Sequence, residues 1–101
     1  PFITAVIKIV EENICEADFS VKKLAAEMNM SQPTLYRKVK QSTDYTIIEL
    51  IRGVRMRRAG VLLKTKQYAV QEVAEMVGYN DIPTFRKHFV DAFGTTPSTY
   101  E

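Results

Sequence analysis

Apolar residues recur every three or four positions along most of this chain, which is the spacing of one face of an α-helix. The first such stripe predicts an amphipathic helix from residue 2 to about residue 15. Its apolar face holds Phe2, Ile3, Val6, Ile7, Val10 and Ile14. Further stripes follow Ser20, Ser31 and Asp81, residue types that cap the starts of helices. The pattern predicts an all-α chain.

Two stretches about fifty residues apart carry the same order of apolar, turn and capping positions. Ala25 corresponds to Ala74 at an offset of 49, and Leu35 corresponds to Phe85 at an offset of 50. In each copy a short helix is followed by a tight turn and by a second helix with a proline near its start. Two helices joined by so short a turn match the helix-turn-helix that reads DNA. We therefore interpret the repeat as two such subdomains.

Individual residues predict the turn and the orientation of the helices in each copy. Asn29 and Gly78 are expected to form the turns, Asn29 in the left-handed conformation that ends a helix. Ser31 and Asp81 are expected to cap the second helices. The residues predicted to point inward from those second helices are Leu35, Val39, Phe85 and Phe89.

A long helix is predicted between the two copies, from Thr46 to about Lys64, where no proline interrupts the chain. Its apolar residues spread over more than one face, so it needs partners on two sides and is expected to join both subdomains. Its length of about 28 Å is comparable with the repeat of duplex DNA, about 34 Å. Gly53 and Gly60 are expected to permit close packing of this helix.

The predicted architecture has about seven helices, the last a short one that begins near Pro97. Residues 1–45 form the first helix-turn-helix subdomain, residues 46–65 the linker helix and residues 66–101 the second subdomain. Phe93 and Tyr100 are expected to close the core of the second subdomain.

Composition and charge narrow the classes of function. A hydrophobic content of 46% in 101 residues suits a folded soluble protein. No apolar run is long enough for a membrane span and no basic leader begins the chain, so a cytoplasmic protein is expected. The net charge is only +2, but residues 31–66 hold nine basic and two acidic residues, a local net charge of +7. Such a concentration of positive charge suits an anionic partner such as nucleic acid.

Few residues offer catalytic or metal-binding chemistry. Cys15 is the single cysteine, and its apolar neighbours predict a buried, unreactive thiol. His88 is the single histidine and has no partner for a metal site or for catalysis, so a structural or phosphate-adjacent role is expected. The four methionines occur at core spacing. We expect no enzyme activity, no metal and no cofactor.

The second copy carries the residues of a known family. Segment 70–81 reads VQEVAEMVGYND, and after it come Phe85, Phe89, Phe93, Gly94, Pro97 and Tyr100. These residues closely resemble the signature of AraC/XylS-type transcription regulators. The linker helix also resembles the family pattern, at Arg55, Ala59, Leu62 and Leu63. Residues 30–38 resemble the first motif of those members that are fused to two-component sensors.

This resemblance implies a sequence-specific domain that binds double-stranded DNA and regulates transcription, with two DNA-reading motifs joined by one long helix. It also implies contact with RNA polymerase and control by a sensing or dimerising domain outside this chain. Three positions depart from the family pattern, where Asp44, Pro83 and Glu101 stand in place of the commoner glycine, serine and arginine. The last departure affects a small C-terminal contact and not the fold.

Helical geometry selects the residues expected to face DNA, on the side opposite the inward pairs. In the first motif these are Gln32, Pro33, Tyr36, Arg37 and Lys40. In the second motif they are Ile82, Pro83, Arg86 and Lys87, with Val90 on the same face. Arg37 is expected to contact a guanine edge through two nitrogens, Gln32 to read adenine, and Tyr36 and Pro33 to touch a thymine methyl. Lys40 suits a phosphate, and Arg86 is the leading candidate of the second motif.

Other charged groups and one rival interpretation stay open. Phosphates are expected to meet the free amides at the starts of the first helices, around Val21 and Val70. The linker arginines 52, 55, 57 and 58 are expected to serve packing, paired with glutamates 49, 72 or 75. The rival interpretation of the whole chain is a helical protein-interaction module. Basic residues on the exposed faces argue against it, because such a surface would carry more apolar anchors.

Overall fold

The structure, a computed structural model, describes residues 1–100, so the departure at Glu101 lies outside the described residues. The helices are α1 (Phe2–Glu12), α2 (Val21–Glu27), α3 (Gln32–Thr43), α4 (Ile47–Lys64), α5 (Val70–Met76) and α6 (Ile82–Phe93), followed by a 3-10 turn at Pro97–Thr99. No strand occurs in this part of the chain. The predictions of an all-α chain and of about seven helical elements are confirmed.

Side chains cap the helices that the pattern predicts. The Ser20 hydroxyl accepts from the amide of Lys23, and the Ser31 hydroxyl accepts from the amide of Thr34, each at 3.3 Å. In the second copy the Asp81 carboxylate accepts from the Thr84 amide, also at 3.3 Å. Each of these bonds satisfies one of the backbone donors that the start of a helix leaves free.

The two turns have the same construction. Asn29 has a φ of 55° and Gly78 a φ of 87°, so both lie in the left-handed region. After each turn the second helix has twelve residues, α3 in the first copy and α6 in the second. The duplicated helix-turn-helix is therefore present in the fold.

Two hydrophobic cores lie along α4, one for each copy. The first is formed by Val6, Val10, Phe19, Leu24, Ala25, Leu35, Val39 and Ile47. The second is formed by Ile14, Met56, Ala59, Leu63, Val73, Ala74, Val77, Phe85 and Phe89. Phe93 and Tyr100 pack against the second core, as predicted. One helix contributes to both cores, which explains why its apolar residues spread over more than one face.

The segment after α1 differs from the prediction. Helix α1 ends at Glu12, so Ile14 and Cys15 no longer follow its helical period. The Ile14 side chain is buried in the second core instead of the first. Cys15 is exposed, and the prediction of a buried thiol is wrong. The loop between α1 and α2 therefore reaches across to the second subdomain.

The two glycines of α4 have different surroundings. A Cβ atom added at Gly60 would lie 2.9 Å from Cζ of Phe93, so this glycine does permit close packing. A Cβ atom added at Gly53 would meet nothing within 4 Å, so the prediction of close packing is wrong there. Gly53 is exposed to solvent, whereas the next residue, Val54, packs against both cores. No helix of residues 1–100 combines the length and the hydrophobicity that crossing a bilayer requires.

Candidate nucleic-acid interface

Helices α3 and α6 each bury one pair of side chains and leave the opposite side to solvent. Leu35, Val39, Phe85 and Phe89 are all 0% exposed. Each helix also has a proline in its first turn, where the missing N–H interrupts no helical hydrogen bond. The inward direction predicted from the sequence is therefore confirmed for both helices.

The five candidates of the first motif are all exposed: Gln32, Pro33, Tyr36, Arg37 and Lys40. Tyr36 keeps 39% of its surface accessible, which is high for a large aromatic residue. Lys40 also has a structural contact, since its ammonium donates to the backbone carbonyl of Asp44 at 2.8 Å. Asp44 ends α3 in the left-handed conformation with a φ of 65°.

The candidates of the second motif divide into two groups. Pro83, Arg86 and Lys87 are exposed. Ile82 is half-buried and packs against the second core, so only part of its side chain remains available to a ligand. Val90, on the same side of α6, is 40% exposed.

The exposed basic residues of α3 and α6 form no salt bridges with carboxylates in the described part of the chain. The one salt bridge in the described part of the chain joins Lys23 Nζ to Asp18 Oδ2 at 2.8 Å. Arg37, Arg86 and Lys87 therefore have no acidic side-chain partner among residues 1–100. An unpaired cation on a helix surface can bind an anionic ligand without first breaking an internal ion pair.

His88 lies on the inner side of α6 and contacts the turn of the second motif. Its Nδ1 lies 2.6 Å from the hydroxyl of Tyr79. Burial raises the pKa of the Tyr79 hydroxyl, so the hydroxyl stays protonated at neutral pH and donates to the ring nitrogen. Burial also lowers the pKa of His88, and the nearby positive charge of Arg52 adds to this effect. The neutral imidazole thus holds α6 against the turn that precedes it.

The linker arginines do not pair with the glutamates that the sequence suggests. Within residues 1–100, Glu49 instead accepts from the amide of Thr46 at 2.9 Å, and Glu72 accepts from the amide of Ala69 at 2.8 Å. Both glutamates are third in their helices, so they reach back to the helix start more easily than across to another helix. The predicted arginine–glutamate pairs are therefore wrong.

Arg55 has a packing role with different partners. It is 7% exposed, and its Nη1 donates to the carbonyls of Val77 at 2.8 Å and Ile14 at 3.2 Å. Its Nη2 donates to the carbonyl of Glu16 at 3.2 Å. Burial lowers the pKa of the guanidinium, but arginine remains charged at neutral pH. The resemblance to the family's linker pattern marks Arg55 in the sequence, but nothing in the sequence indicates its three carbonyl partners.

The helix starts expected to meet phosphates are not equivalent. At the start of α2 the Ser20 hydroxyl accepts a hydrogen bond from one free amide, and this side chain carries no charge. At α5 the carboxylate of Glu72 lies beside the first turn, bonded to the Ala69 amide. A phosphate near Val70 would therefore meet a negative charge, so the α5 start fits the expectation less well than the α2 start.

A cleft of about 540 Å³ separates the two motifs along one side of α4. It is bordered by Ser20 and Val21 from the first motif and by Asp81 and Thr84 from the second. Arg52, which is exposed, lines the cleft between them. The structure thus brings a linker arginine to a surface that both motifs share.

Comparison with known proteins gives a consistent result. Residues 24–101 match the sequence profile of a family described as a helix-turn-helix domain. A histidine kinase P4 from Formosa agariphila is 35% identical over 94 residues, which cover 93% of this chain and 7% of that protein. The chain spans about a third or less of the length of the curated relatives it matches.

Solved structures share the whole fold. The C-terminal domain of AraT, a response regulator from Geobacillus stearothermophilus, superposes with a TM-score of 0.91 at 28% identity, covering 99% of this chain and 83% of that one. The DNA-binding domain of the global transcriptional factor AdpA, solved with a target DNA, superposes with a TM-score of 0.87 at 31% identity, covering 96% and 86%. The similarity thus includes both motifs and the helix between them.

Proposed function

This chain belongs to the AraC-type helix-turn-helix family, and we propose that it is the sequence-specific DNA-binding domain of a transcription regulator. Its ligand is double-stranded DNA. The observation that carries this proposal is the duplicated motif, in which α3 and α6 each present an exposed, unpaired arginine on the side opposite a fully buried pair. The solved AdpA domain with a target DNA supports the choice of ligand.

The two recognition helices enter successive segments of the major groove on one side of the duplex. Helix α4 has 18 residues and so spans about 27 Å. The longest dimension of the fold is 39 Å, which is comparable with the 34 to 36 Å of about one DNA turn. One chain thereby performs the reading that commonly takes two subunits.

Base readout is assigned to side chains near the start and middle of each recognition helix. Arg37 and Arg86 each donate two hydrogen bonds to a guanine edge, which an exposed guanidinium without a carboxylate partner is free to do. Gln32 reads adenine from the first turn of α3. The residues assigned to apolar contact with thymine methyl groups are Pro33, Tyr36, Ile82 and Pro83.

Phosphate contacts position the domain without reading sequence. Lys87 is exposed on α6, and we assign it to a phosphate of the DNA backbone. Lys40 on α3 is also assigned to a phosphate. Its ammonium donates one hydrogen bond to the Asp44 carbonyl and has two N–H donors left for the DNA. The net charge of +7 over residues 31–66 attracts the duplex to this part of the surface.

The remainder of the intact protein supplies the signal. Relatives of this chain are much longer, and two similar proteins carry the names of a histidine kinase and a response regulator. We assign this chain to the output end of a cytoplasmic two-component regulator, with a sensing or dimerising domain elsewhere in the protein. RNA polymerase is its partner at the promoter. The domain itself carries out no reaction.

The test is a binding titration with duplexes that the purified chain selects from a random-sequence pool. Fluorescence anisotropy at several salt concentrations should give an affinity that falls steeply with salt. About six neutralised phosphates correspond to a slope near −5 in log K against log salt concentration. A chain that selects no sequence, or whose binding ignores salt, contradicts the proposal and favours the protein-interaction module.

A matched pair of variants separates a specific DNA contact from the general effect of losing one positive charge. Arg37→Ala and Lys8→Ala each remove one positive charge from an exposed helical position, but Lys8 lies on α1, outside both motifs. Arg37→Ala should weaken binding to the selected duplex at least tenfold. Lys8→Ala should leave it within about twofold of wild type.

A further inference from the structure

The two cores meet on α4 at Val54, which packs against both, and the residue before it is the exposed Gly53. Leu50 and Ile51 pack on the first core, and Met56 is buried in the second. Along the helix Gly53 lies between these residues, and a Cβ atom there would point to solvent and meet nothing within 4 Å. Glycine is a poor helix former in a helix interior, and no close packing requires it here. The linker helix is therefore weakest where the two halves join.

Arg55 crosses this junction with hydrogen bonds to both halves. Its Nη1 and Nη2 bind the carbonyls of Ile14 and Glu16, which lie in the loop of the first half. The same Nη1 binds the carbonyl of Val77, which ends α5 of the second half. One buried side chain thus holds a loop of the first half against the turn of the second motif.

The geometry around Arg55 leaves little freedom. A Cβ atom added at Gly78 would lie 1.7 Å from Nη1 of Arg55 and 2.3 Å from the carbonyl oxygen of Ile14. The first-half loop, the guanidinium and the second turn are thus in direct contact. Ile14 adds a buried side chain to the second core at the same place.

We propose that Arg55 sets the relative orientation of the two recognition helices across the weak point at Gly53, and thereby the half-site spacing that the domain accepts. This inference rests on the proposed DNA-binding function. Arg55 is a positioning residue, since its buried guanidinium acts through the three backbone carbonyls that it binds. Inserting one base pair between half-sites moves them apart by about 3.4 Å and rotates one against the other by about 35°. A clamped domain rejects such a site, and a domain that bends at Gly53 accepts it.

The experiment compares the duplex selected by the wild-type chain with versions that carry one or two extra base pairs between the half-sites. Wild type should lose at least thirtyfold in affinity on insertion. Arg55→Met should lose no more than about threefold, although its affinity for the parent duplex is lower. Arg58→Met, which removes the same charge from an exposed position on the same helix, should retain the wild-type discrimination. Full discrimination by a folded Arg55→Met overturns the proposal.

A second variant separates orientation from general loss of stability. Replacing Gly53 by alanine strengthens α4 at the junction without a clash, so Gly53→Ala combined with Arg55→Met should recover part of the discrimination. A merely destabilising effect of Arg55→Met would lower affinity for every duplex equally. That result would also overturn the proposal.

A measurement without DNA keeps the inference independent of the binding function. Nitroxide labels at Ser42→Cys in α3 and Ala92→Cys in α6, in a Cys15→Ser background, report the distance between the recognition helices. Pulsed dipolar spectroscopy should give a narrow distribution with Arg55 and a broader one with Arg55→Met. If Arg55→Met does not fold, Arg55→Lys decides, because lysine keeps the charge but not the fork of donors. A wild-type distribution in the folded variant overturns the clamp, whereas failure of wild type to bind any duplex overturns only the proposed function.

Discussion

Because Gly78 has no side chain, the guanidinium of Arg55 lies within hydrogen-bonding distance of backbone carbonyls from both subdomains. A Cβ atom at Gly78 would lie 1.7 Å from Nη1 of Arg55, closer than any unbonded atoms can approach. Gly78 also has a φ of 87°, which the turn of the second motif requires. Two independent demands, one from the turn and one from the clamp, therefore coincide at one residue.

Gly78→Ala should destabilise the fold by about 3 kcal/mol or more, because it combines a left-handed alanine with the displacement of a buried charged group. Gly94→Ala is the matched control, since Gly94 also has a positive φ, of 74°, but open space at the Cβ position. That control should cost only about 1 to 2 kcal/mol. Urea denaturation of both variants measures the difference. Equal losses would show that the contact with Arg55 adds nothing to the strain of the turn.

The two glycines of α4 should respond oppositely to alanine. Gly53→Ala should stabilise the fold by up to about 1 kcal/mol, because alanine favours the helix and the added methyl group has room. Gly60→Ala gains the same helix preference but places its methyl group 2.9 Å from the Phe93 ring, so it should be neutral or destabilising. Thermal unfolding of the two variants checks the order. A larger gain at Gly60 than at Gly53 would contradict the packing at the second core.

Replacement of Arg86 by alanine should cost about 1 to 3 kcal/mol in binding and relax the preference at one base pair. The reason is that an arginine with two bonds to guanine distinguishes that base from the other three. Affinities for single-base variants of the selected duplex locate the position. Arg86→Lys should also lose specificity, since lysine cannot reproduce the bidentate geometry. A uniform loss on all duplexes would assign Arg86 to a phosphate instead.

His88 should make the fold less stable in mild acid. Burial lowers its pKa below the ordinary value of 6.5, so the unfolded chain takes up the proton first as the pH falls. The stability that neutral His88 contributes to the fold is fully present above about pH 6.5 and is lost as the pH falls towards its pKa in the folded state. Denaturation at about pH 7.5 and about pH 5.5 should show a larger loss for wild type than for His88→Gln. Because His88 is the single histidine, equal losses would refute its assignment.

Much of the architecture followed from the sequence alone because it depends on residues close together in the chain. Ser31 caps a helix through the amide of a residue three positions later, and Asn29 adopts a left-handed conformation that its own side chain tolerates. The buried pairs of α3 and α6 follow from the helical period. The repeat, the linker helix and the exposed faces of both motifs were predictable for the same reason.

What held the two halves together was decided only by the tertiary structure. Arg55 bonds to carbonyl groups 22, 39 and 41 residues away, and no local pattern relates positions so distant. The rule that opposite charges pair predicted glutamate partners for the linker arginines, but Glu49 and Glu72 cap their own helices. Every residue carries a carbonyl oxygen, so no side-chain sequence marks which ones will accept from a buried guanidinium. Only the packing of the chain brings these three carbonyl groups together around Arg55. The same packing gives Ile14 its carbonyl contact and makes Gly78 the residue that leaves room for the guanidinium.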